Sequence, residues 1–169
     1  KIDASTERMY YMIGGILDFA KLDSFRELKD KVNLNEILKN ILSDLDFLIE
    51  EKSATIHIDE LPTIEGSGFL LTQLFNNLIK NALKFTKEGA PALIHIKEEM
   101  ISVSENESVK IEVIDNGIGF KKENAEGIFD TFTRLHSKHK YEGTGLGLST
   151  VLGIMESHSG AIQAGNLPE

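Results

Sequence analysis

One stretch, residues 76–85, decides the fold: Asn76-Asn77-Leu78-Ile79-Lys80-Asn81-Ala82-Leu83-Lys84-Phe85. It closes a predicted helix, residues 69–85, whose apolar side chains recur at three- and four-residue steps: Leu70, Leu71, Leu74, Phe75, Leu78, Ile79 and Ala82. Asn77, Asn81 and Lys84 are spaced so that they share one stripe of this helix. Two asparagines one turn apart are unfavourable in a helix. Either their amide oxygens coordinate a hard cation such as Mg²⁺, or they are ordinary solvated side chains.

Outward from this helix, hydrophobic periodicity predicts the other elements. Asn33 caps a helix of about two dozen residues, strands are expected at 54–59, 92–97 and 109–114, and a helix at 145–158 precedes a short strand at 160–165. The strands 92–97 and 109–114 flank a polar turn, which is typical of a hairpin. We therefore expect an α+β fold: a two-layer α/β sandwich with a mixed, mostly antiparallel sheet and helices on one face.

Residues 4–22 are predicted to form one long helix preceding this sandwich, and the polar stretch 23–31 a linker. The helix is either an ordinary surface helix or half of a helical hairpin. The chain begins Lys1-Ile2-Asp3 with no signal-like region and with a helical pattern already under way, so we expect a fragment of a longer protein.

Composition excludes several classes of function. Acidic residues number 27 against 18 basic ones, giving a net charge of −9, which disfavours nucleic acid as a partner. The absence of cysteine excludes disulfides and thiolate zinc sites. No run of about 18 apolar residues is present, so we expect no membrane contact from this chain.

A second polar cluster, Asp115-Asn116-Gly117-Ile118-Gly119-Phe120, follows the strand 109–114. Two glycines at alternate positions let the backbone approach a flat ligand closely. An ionised aspartate only accepts hydrogen bonds, so it suits the exocyclic amine of adenine and would repel the carbonyl of guanine. Taken alone, Asp-Asn-Gly is also a common turn.

A third cluster, Gly143-Thr144-Gly145-Leu146-Gly147-Leu148-Ser149, opens the helix at 145–158. Glycine-rich backbone at a helix N-terminus gathers unpaired amides and forms a phosphate cradle. The spacing matches neither the Walker loop nor the dinucleotide fingerprint. The alternative is a flexible linker, but Leu146 and Leu148 between the glycines favour packing.

The three clusters, in this order, resemble the catalytic domain of sensor histidine kinases, within the wider ATPase superfamily that includes gyrase, Hsp90 and MutL. Residues 77–82 resemble that family's asparagine box, 115–119 and 143–147 its two glycine boxes, and 128–134 its phenylalanine box, with Thr131 where proline is usual. The resemblance implies that the chain binds ATP and Mg²⁺. The implied nucleotide-binding residues are Asn77, Asn81, Lys84, Phe85, Asp115, Gly117, Gly119, Phe120, Arg134, Gly143, Thr144, Gly145, Leu146, Gly147 and Leu148.

The resemblance also implies individual roles. Asn81, assisted by Asn77, would ligate Mg²⁺, and Lys84 would contact phosphate. Phe85 would flank the adenine and Asp115 would accept its amine. Residues 120–142 would form a lid, in which Arg134 stabilises charge on the transferring γ-phosphoryl group. Asn77, Lys84 and Arg134 are thus the expected catalytic residues.

Residues 1–24 resemble the second helix of the family's dimerisation hairpin, residues 25–31 a linker and residues 32–169 the catalytic domain. The implied partners are the protein's own hairpin, a second protomer in a four-helix bundle and a response-regulator receiver domain, in the cytoplasm, with a parent protein that could be membrane-anchored. The family's closing strand is expected to be absent after residues 166–169.

The resemblance requires an acceptor histidine followed by an acidic residue on the first hairpin helix, and none of the five histidines fits. His57 and His95 alternate with apolar residues, so they are expected on the exposed face of the sheet. His158 is expected to act as a favourable charge at a helix C-terminus. His136 and His139 lie in the predicted lid, where a metal role would need further ligands. We expect that the chain binds ATP but does not phosphorylate itself.

Two other classes of function stay open at this point. An ATP-hydrolysing machine of the gyrase or Hsp90 type places a glutamate base where this chain has Asn77, which cannot take a proton from water. A non-catalytic nucleotide-binding scaffold would fit binding without transfer. A serine kinase that regulates sigma factors is a related alternative, and the predicted helix at residues 4–22 argues against it.

Overall fold

The computed structural model describes residues 30–103, 106–135 and 143–166. In these ranges the chain forms five strands and four α-helices, with two short 3₁₀ turns at Lys122–Asn124 and Gly127–Phe129. The strands are β1 (Asp30–Asn33), β2 (Thr55–Ile58), β3 (Thr63–Gly66), β4 (Leu93–Val103) and β5 (Asn106–Asp115). The helices are α1 (Leu34–Asp44), α2 (Asp46–Glu51), α3 (Gly68–Lys84) and α4 (Gly147–Ser157).

The main sheet has the order β2-β4-β5. Strand β2 pairs with β4 in parallel, and β4 pairs with β5 antiparallel over its whole length, from Ile94 opposite Asp115 to Val103 opposite Asn106. The predicted mixed sheet and its hairpin are therefore confirmed. A separate antiparallel ribbon of β1 and β3 was not predicted.

The core lies between the helices and one face of this sheet. Ile94 and Ile96 of β4 are buried, whereas His95 between them is not, because neighbouring side chains of a strand point to opposite faces. The buried helical side chains that meet this face are Leu34, Leu38 and Ile41 of α1, Leu70, Leu74, Ile79 and Leu83 of α3, and Val151 and Ile154 of α4. This arrangement confirms the predicted two-layer fold with helices on one face.

Two predicted elements differ from the structure. The long helix capped by Asn33 is divided at Leu45, although the cap itself is correct: the Asn33 side chain accepts a hydrogen bond from the amide of Asn35 at 2.9 Å. Leu45 is buried, so the apolar stripe runs through the break and conceals it in the sequence. The strand predicted at 160–165 was wrong, because this segment makes no ladder pairing with any described strand.

The boundaries of two elements also differ from the prediction. Strand β1 begins at Asp30, within the stretch predicted as a linker, and α4 begins at Gly147 rather than Gly145. The predicted long helix at residues 4–22 lies outside the described residues. Within the described ranges, no helix is long and apolar enough to cross a membrane.

Candidate functional site

The polar stripe of α3 faces the beginning of α4. A β-carbon placed on Gly147 would lie 3.2 Å from Oδ1 of Asn77 and 3.9 Å from Nδ2 of Asn81. Nδ2 of Asn77 donates to the carbonyl of Gln73 at 3.0 Å, and this hydrogen bond directs Oδ1 toward α4. Both side-chain amides, half-buried, therefore meet the N-terminus of the helix that the third cluster opens.

The first turn of α4 gathers unpaired amides. Its N-cap, Leu146, provides no side-chain cap, and the first amides of any helix lack an intrahelical acceptor. Thr144 Oγ1 accepts from the amide of Leu146 at 3.3 Å, and the Leu146 side chain is buried. The loop is thus packed rather than a flexible linker, and it presents the positive end of the α4 dipole to Asn77 and Asn81.

Two cations lie at the start of this loop. Nη1 of Arg134 donates to the carbonyl of Gly143 at 2.7 Å. A β-carbon on Gly143 would lie 2.7 Å from Nζ of Lys84, which also stands 4.8 Å from the ring centroid of Phe85. In a chain of net charge −9, this convergence gives the loop a local positive field suited to an anion.

The turn after β5 is held against the end of α3. Oδ1 of Asp115 accepts from the amide of Gly117 at 2.8 Å, and the amide of Ile118 donates to the carbonyl of Phe85 at 2.9 Å. A β-carbon on Gly117 would lie 2.7 Å from that carbonyl oxygen, a distance that permits only glycine. The exposed Asp115 carboxylate and the Phe85 backbone therefore share one corner of the site.

Two asparagines that are not among the predicted nucleotide-binding residues support this corner. The side chain of Asn116 accepts from the amide of Leu93 at 2.9 Å and donates to the carbonyl of Pro91 at 3.0 Å, which fixes the turn to the start of β4. The side chain of Asn166 bonds both the amide and the carbonyl of Phe120. Asparagine directly after a strand is the signal that identifies the first; no local pattern indicates the second.

The described part of the predicted lid also contacts the glycine-rich loop at residues 143–147. The amide of Phe132 donates to the carbonyl of Gly145 at 3.0 Å. Gly145 has φ +76°, and a β-carbon there would lie 2.8 Å from the carbonyl carbon of Phe132. Phe129 is buried, while Phe132 is half exposed. Residues 136–142 of the lid, with His136 and His139, lie outside the described ranges.

Comparison with known proteins identifies the family to which this chain belongs. The profile described as "Histidine kinase-, DNA gyrase B-, and HSP90-like ATPase" matches residues 66–169. The chain belongs to this family. Its relatives include Cyanobacterial phytochrome A of Nostoc sp. (strain PCC 7120), 38% identical over 91% of this chain and 20% of that protein. Sensor protein kinase WalK of Staphylococcus saprophyticus is 31% identical over 96% of this chain and 27% of its own length.

Solved structures of histidine kinases have a similar fold and agree with this family assignment. Full-length ShkA in complex with AMPPNP matches with a TM-score of 0.73 and 26% identity, over 97% of this chain and 34% of that one. The catalytic domain of histidine kinase ThkA, in a nucleotide-free form, matches with a TM-score of 0.62 and 26% identity, over 76% and 80% of the two chains. The chain is the ATP-binding catalytic domain of a sensor histidine kinase, and it spans about a quarter of the length of the curated relatives named here.

The three histidines within the described residues lie in two different environments. His57 and His95 lie on the exposed sheet face, as predicted, with 72% and 40% of their side chains exposed. His158 differs from the prediction of a charged helix end. Its Nε2 accepts from the amide of Ser67 at 3.1 Å and its Nδ1 lies 2.8 Å from the carbonyl of Ile154, a pair of contacts that requires the neutral ring with the proton on Nδ1.

Proposed function

We propose that this domain binds Mg-ATP and transfers its γ-phosphoryl group to a histidine on the dimerisation hairpin of the parent protein. The observation that carries the proposal is the convergence of three chain segments on one site. The α3 stripe, the turn after Asp115 and the loop at 143–147 bring an amide pair, a carboxylate and a glycine-rich helix N-terminus together. These groups suit a metal, an adenine amine and a triphosphate in turn.

Adenine recognition is assigned to Asp115. An ionised carboxylate accepts from an exocyclic amine and repels a carbonyl, so adenine is favoured over guanine. The Gly117 amide holds Oδ1 at 2.8 Å and thereby fixes the direction in which the carboxylate accepts. Phe85, beside the same turn, would cover one face of the base.

The residues present also fit Mg²⁺. Oδ1 of Asn77 is directed toward α4 by the hydrogen bond from Nδ2 to Gln73, and the Asn81 amide lies beside the same glycine. Hard amide oxygens with phosphate oxygens suit Mg²⁺, which, when bound, offsets negative charge on the β- and γ-phosphates. Asn81, assisted by Asn77, would hold it.

In this proposal the chain's own residues act by positioning and by charge. The amides that open α4 hold the phosphates, and Lys84 and Arg134 beside Gly143 offset charge that develops on the transferring group. Asn77 cannot accept a proton from water, so the site lacks the base that a hydrolase needs at that place. This difference favours transfer to a protein side chain over steady ATP hydrolysis.

The finer assignments extend the proposal to the parent protein. We propose that residues 1–24 form the second hairpin helix and residues 25–31 the linker, because the apolar residues of the predicted helix 4–22 recur at helical spacing. The hairpin pairs with a second protomer, and a response-regulator aspartate receives the phosphoryl group from the histidine. We propose a cytoplasmic location, since the proposed activity requires ATP.

Binding is tested with Asp115→Asn, an isosteric change that keeps the acceptor for Gly117 but turns a donor toward the adenine amine. Loss of a hydrogen bond to a charged group weakens binding by about 1.5–3 kcal/mol, or about 10- to 150-fold. Calorimetric titration with ATP measures it. Asp44→Asn, an exposed carboxylate at the end of α1, is the matched control and should bind like the parent chain. Unchanged ATP affinity in Asp115→Asn would show that adenine lies elsewhere.

Transfer is tested separately with γ-labelled ATP and a first hairpin helix of a sensor kinase, which carries an acceptor histidine, fused ahead of residue 1. We expect labelled phosphohistidine from the fusion and none from this chain alone. At ATP concentrations below the dissociation constant, the Asp115→Asn fusion should be labelled about 10- to 150-fold less. Steady phosphate release without labelled protein would instead identify a hydrolase. ATP binding with neither outcome would favour the scaffold.

A further inference from the structure

The outer face of the sheet carries a cluster that the nucleotide site does not use. His57 of β2 and His95 of β4 are direct partners in the parallel register. Asp59 follows His57 by two residues, so it extends along the same face. This face is opposite the one that Ile94 and Ile96 bury under the helices.

The three side chains converge on one point. Nε2 of His57 lies 3.1 Å and Nε2 of His95 lies 3.0 Å from the same oxygen, Oδ1 of Asp59. The two imidazole centroids are 4.9 Å apart, and the ligand atoms of all three residues lie within 4.8 Å of one another. Ligands at about 2.0–2.1 Å from a tetrahedral ion stand about 3.3 Å apart, so a small movement would seat an ion among them.

We propose that His57, His95 and Asp59 form a binding site for a divalent transition-metal ion of the Zn²⁺ class. Two imidazole nitrogens and one carboxylate oxygen suit zinc, copper, nickel or iron and not Mg²⁺, which prefers oxygen ligands. Three protein ligands leave a coordination position for water. The ion would join β2 to β4 across their parallel pairing.

The surrounding charges favour a cation at this point. Within the described residues, the lysines on the same face are already held: Lys97 by Glu112 at 3.0 Å, and Lys110 by Glu112 at 2.6 Å and by Glu99 at 2.9 Å. A surface carboxylate is ionised at neutral pH, which is the form that binds metals.

Metal binding requires a defined change of tautomer. An ionised carboxylate only accepts, so in the metal-free protein Nε2 of each histidine carries the proton that bonds Asp59. With an ion bound, both Nε2 atoms donate lone pairs to it, and the proton of each neutral ring lies on Nδ1. This exchange gives a spectroscopic signature at two named histidines.

The experiment uses the untagged chain, Zn²⁺ alone, excess Mg²⁺ to fill oxygen sites, and a chromophoric chelator as competitor. We expect one equivalent of Zn²⁺ to be taken from the chelator. His57→Gln and His95→Gln should each lower the affinity at least about 10- to 100-fold, since loss of outer partners alone has that effect. His57 is exposed and His95 is half-buried, and neither lies in the core, so the variants should fold, which circular dichroism without metal checks.

The matched control is the double variant His136→Gln with His139→Gln, which removes the other histidine pair. It should keep full Zn²⁺ affinity, and long-range ¹H–¹⁵N spectra of the parent chain should move the proton of His57 and His95 from Nε2 to Nδ1. The proposal is overturned if the parent chain takes no Zn²⁺ from the chelator. It is equally overturned if His57→Gln and His95→Gln bind unchanged, or if binding is lost only in the double variant.

Discussion

Gly145→Ala tests how closely the glycine-rich loop at residues 143–147 packs against Phe132 and Thr133 of the proposed lid. Gly145 has φ +76°, a conformation that costs an L-residue about 1–2 kcal/mol. The new β-carbon would also lie 2.8 Å from the Phe132 carbonyl carbon and 2.9 Å from the Thr133 carbonyl oxygen. These are backbone atoms, so relief requires a shift of the lid, and overpacking of this kind adds about 1–3 kcal/mol.

The matched control is Gly89→Ala, in the turn between α3 and β4. Gly89 has nearly the same φ, +77°, but nothing lies within 4 Å of its added β-carbon. Both variants therefore share the backbone cost, and only Gly145→Ala adds the clash. We expect it to unfold more readily than Gly89→Ala by about 1–3 kcal/mol in urea.

The nucleotide gives an independent readout of the same clash. If the lid must move away from the loop, the affinity of Gly145→Ala for ATP should fall by about 5- to 150-fold, which is the same 1–3 kcal/mol expressed as binding. Gly89→Ala should bind ATP like the parent chain in calorimetric titration. Equal destabilisation of the two variants, with unchanged ATP binding in both, would refute the described contact between Gly145 and the lid.

Three further outcomes are expected. Asn81→Ala should reduce ATP affinity in Mg²⁺ but not in EDTA. If the ratio of the affinities in Mg²⁺ and in EDTA were the same as in the parent chain, Asn81 would not be a ligand of the metal. His158→Phe should destabilise the domain by about 1–3 kcal/mol in thermal unfolding, because the Ser67 amide loses its acceptor; equal stability would contradict that bond. Hydrogen bonds first from Lys110 and then from Lys97 lower the pKa of Glu112 from 4.5 to about 2. The difference in unfolding free energy between the parent chain and Glu112→Gln should therefore be largest above pH 4.5 and disappear as the pH falls to about 2. A difference that persists at about pH 2 would exclude the carboxylate as its source.

The elements that the sequence predicted well are those with local signals. The apolar period of α3 and the alternation in β4 and β5 are readable within one segment. Strands β1 and β3 were missed because each has four residues, and their pairing joins Val32 to Ile64 across a distance in sequence that no local pattern reveals. The segment 160–165 shows the opposite failure, since it alternates like a strand but has no partner in the described sheet.

The same distinction applies to the sites. Asparagine and glycine are unfavourable within regular structure, so the pair Asn77 and Asn81 and the glycine clusters indicate a ligand from local sequence alone. The structure brings the two asparagines beside Gly147. The proposed metal site could not be predicted without the register of β2 on β4, because His57 and His95 are far apart in sequence. The role of His158 likewise depends on Ser67, at the start of a different helix.

The exposed face of the sheet has a consequence for how this domain can be altered. Strand β4 supports the core through Ile94 and Ile96, while His95 and Lys97 project on the other side. Substitutions on that outer side leave the packing beneath α3 intact. Positions on that face outside the His57–His95–Asp59 cluster and the ion pairs of Glu112 can therefore carry a label, a sensor group or a new recognition surface without entering the core.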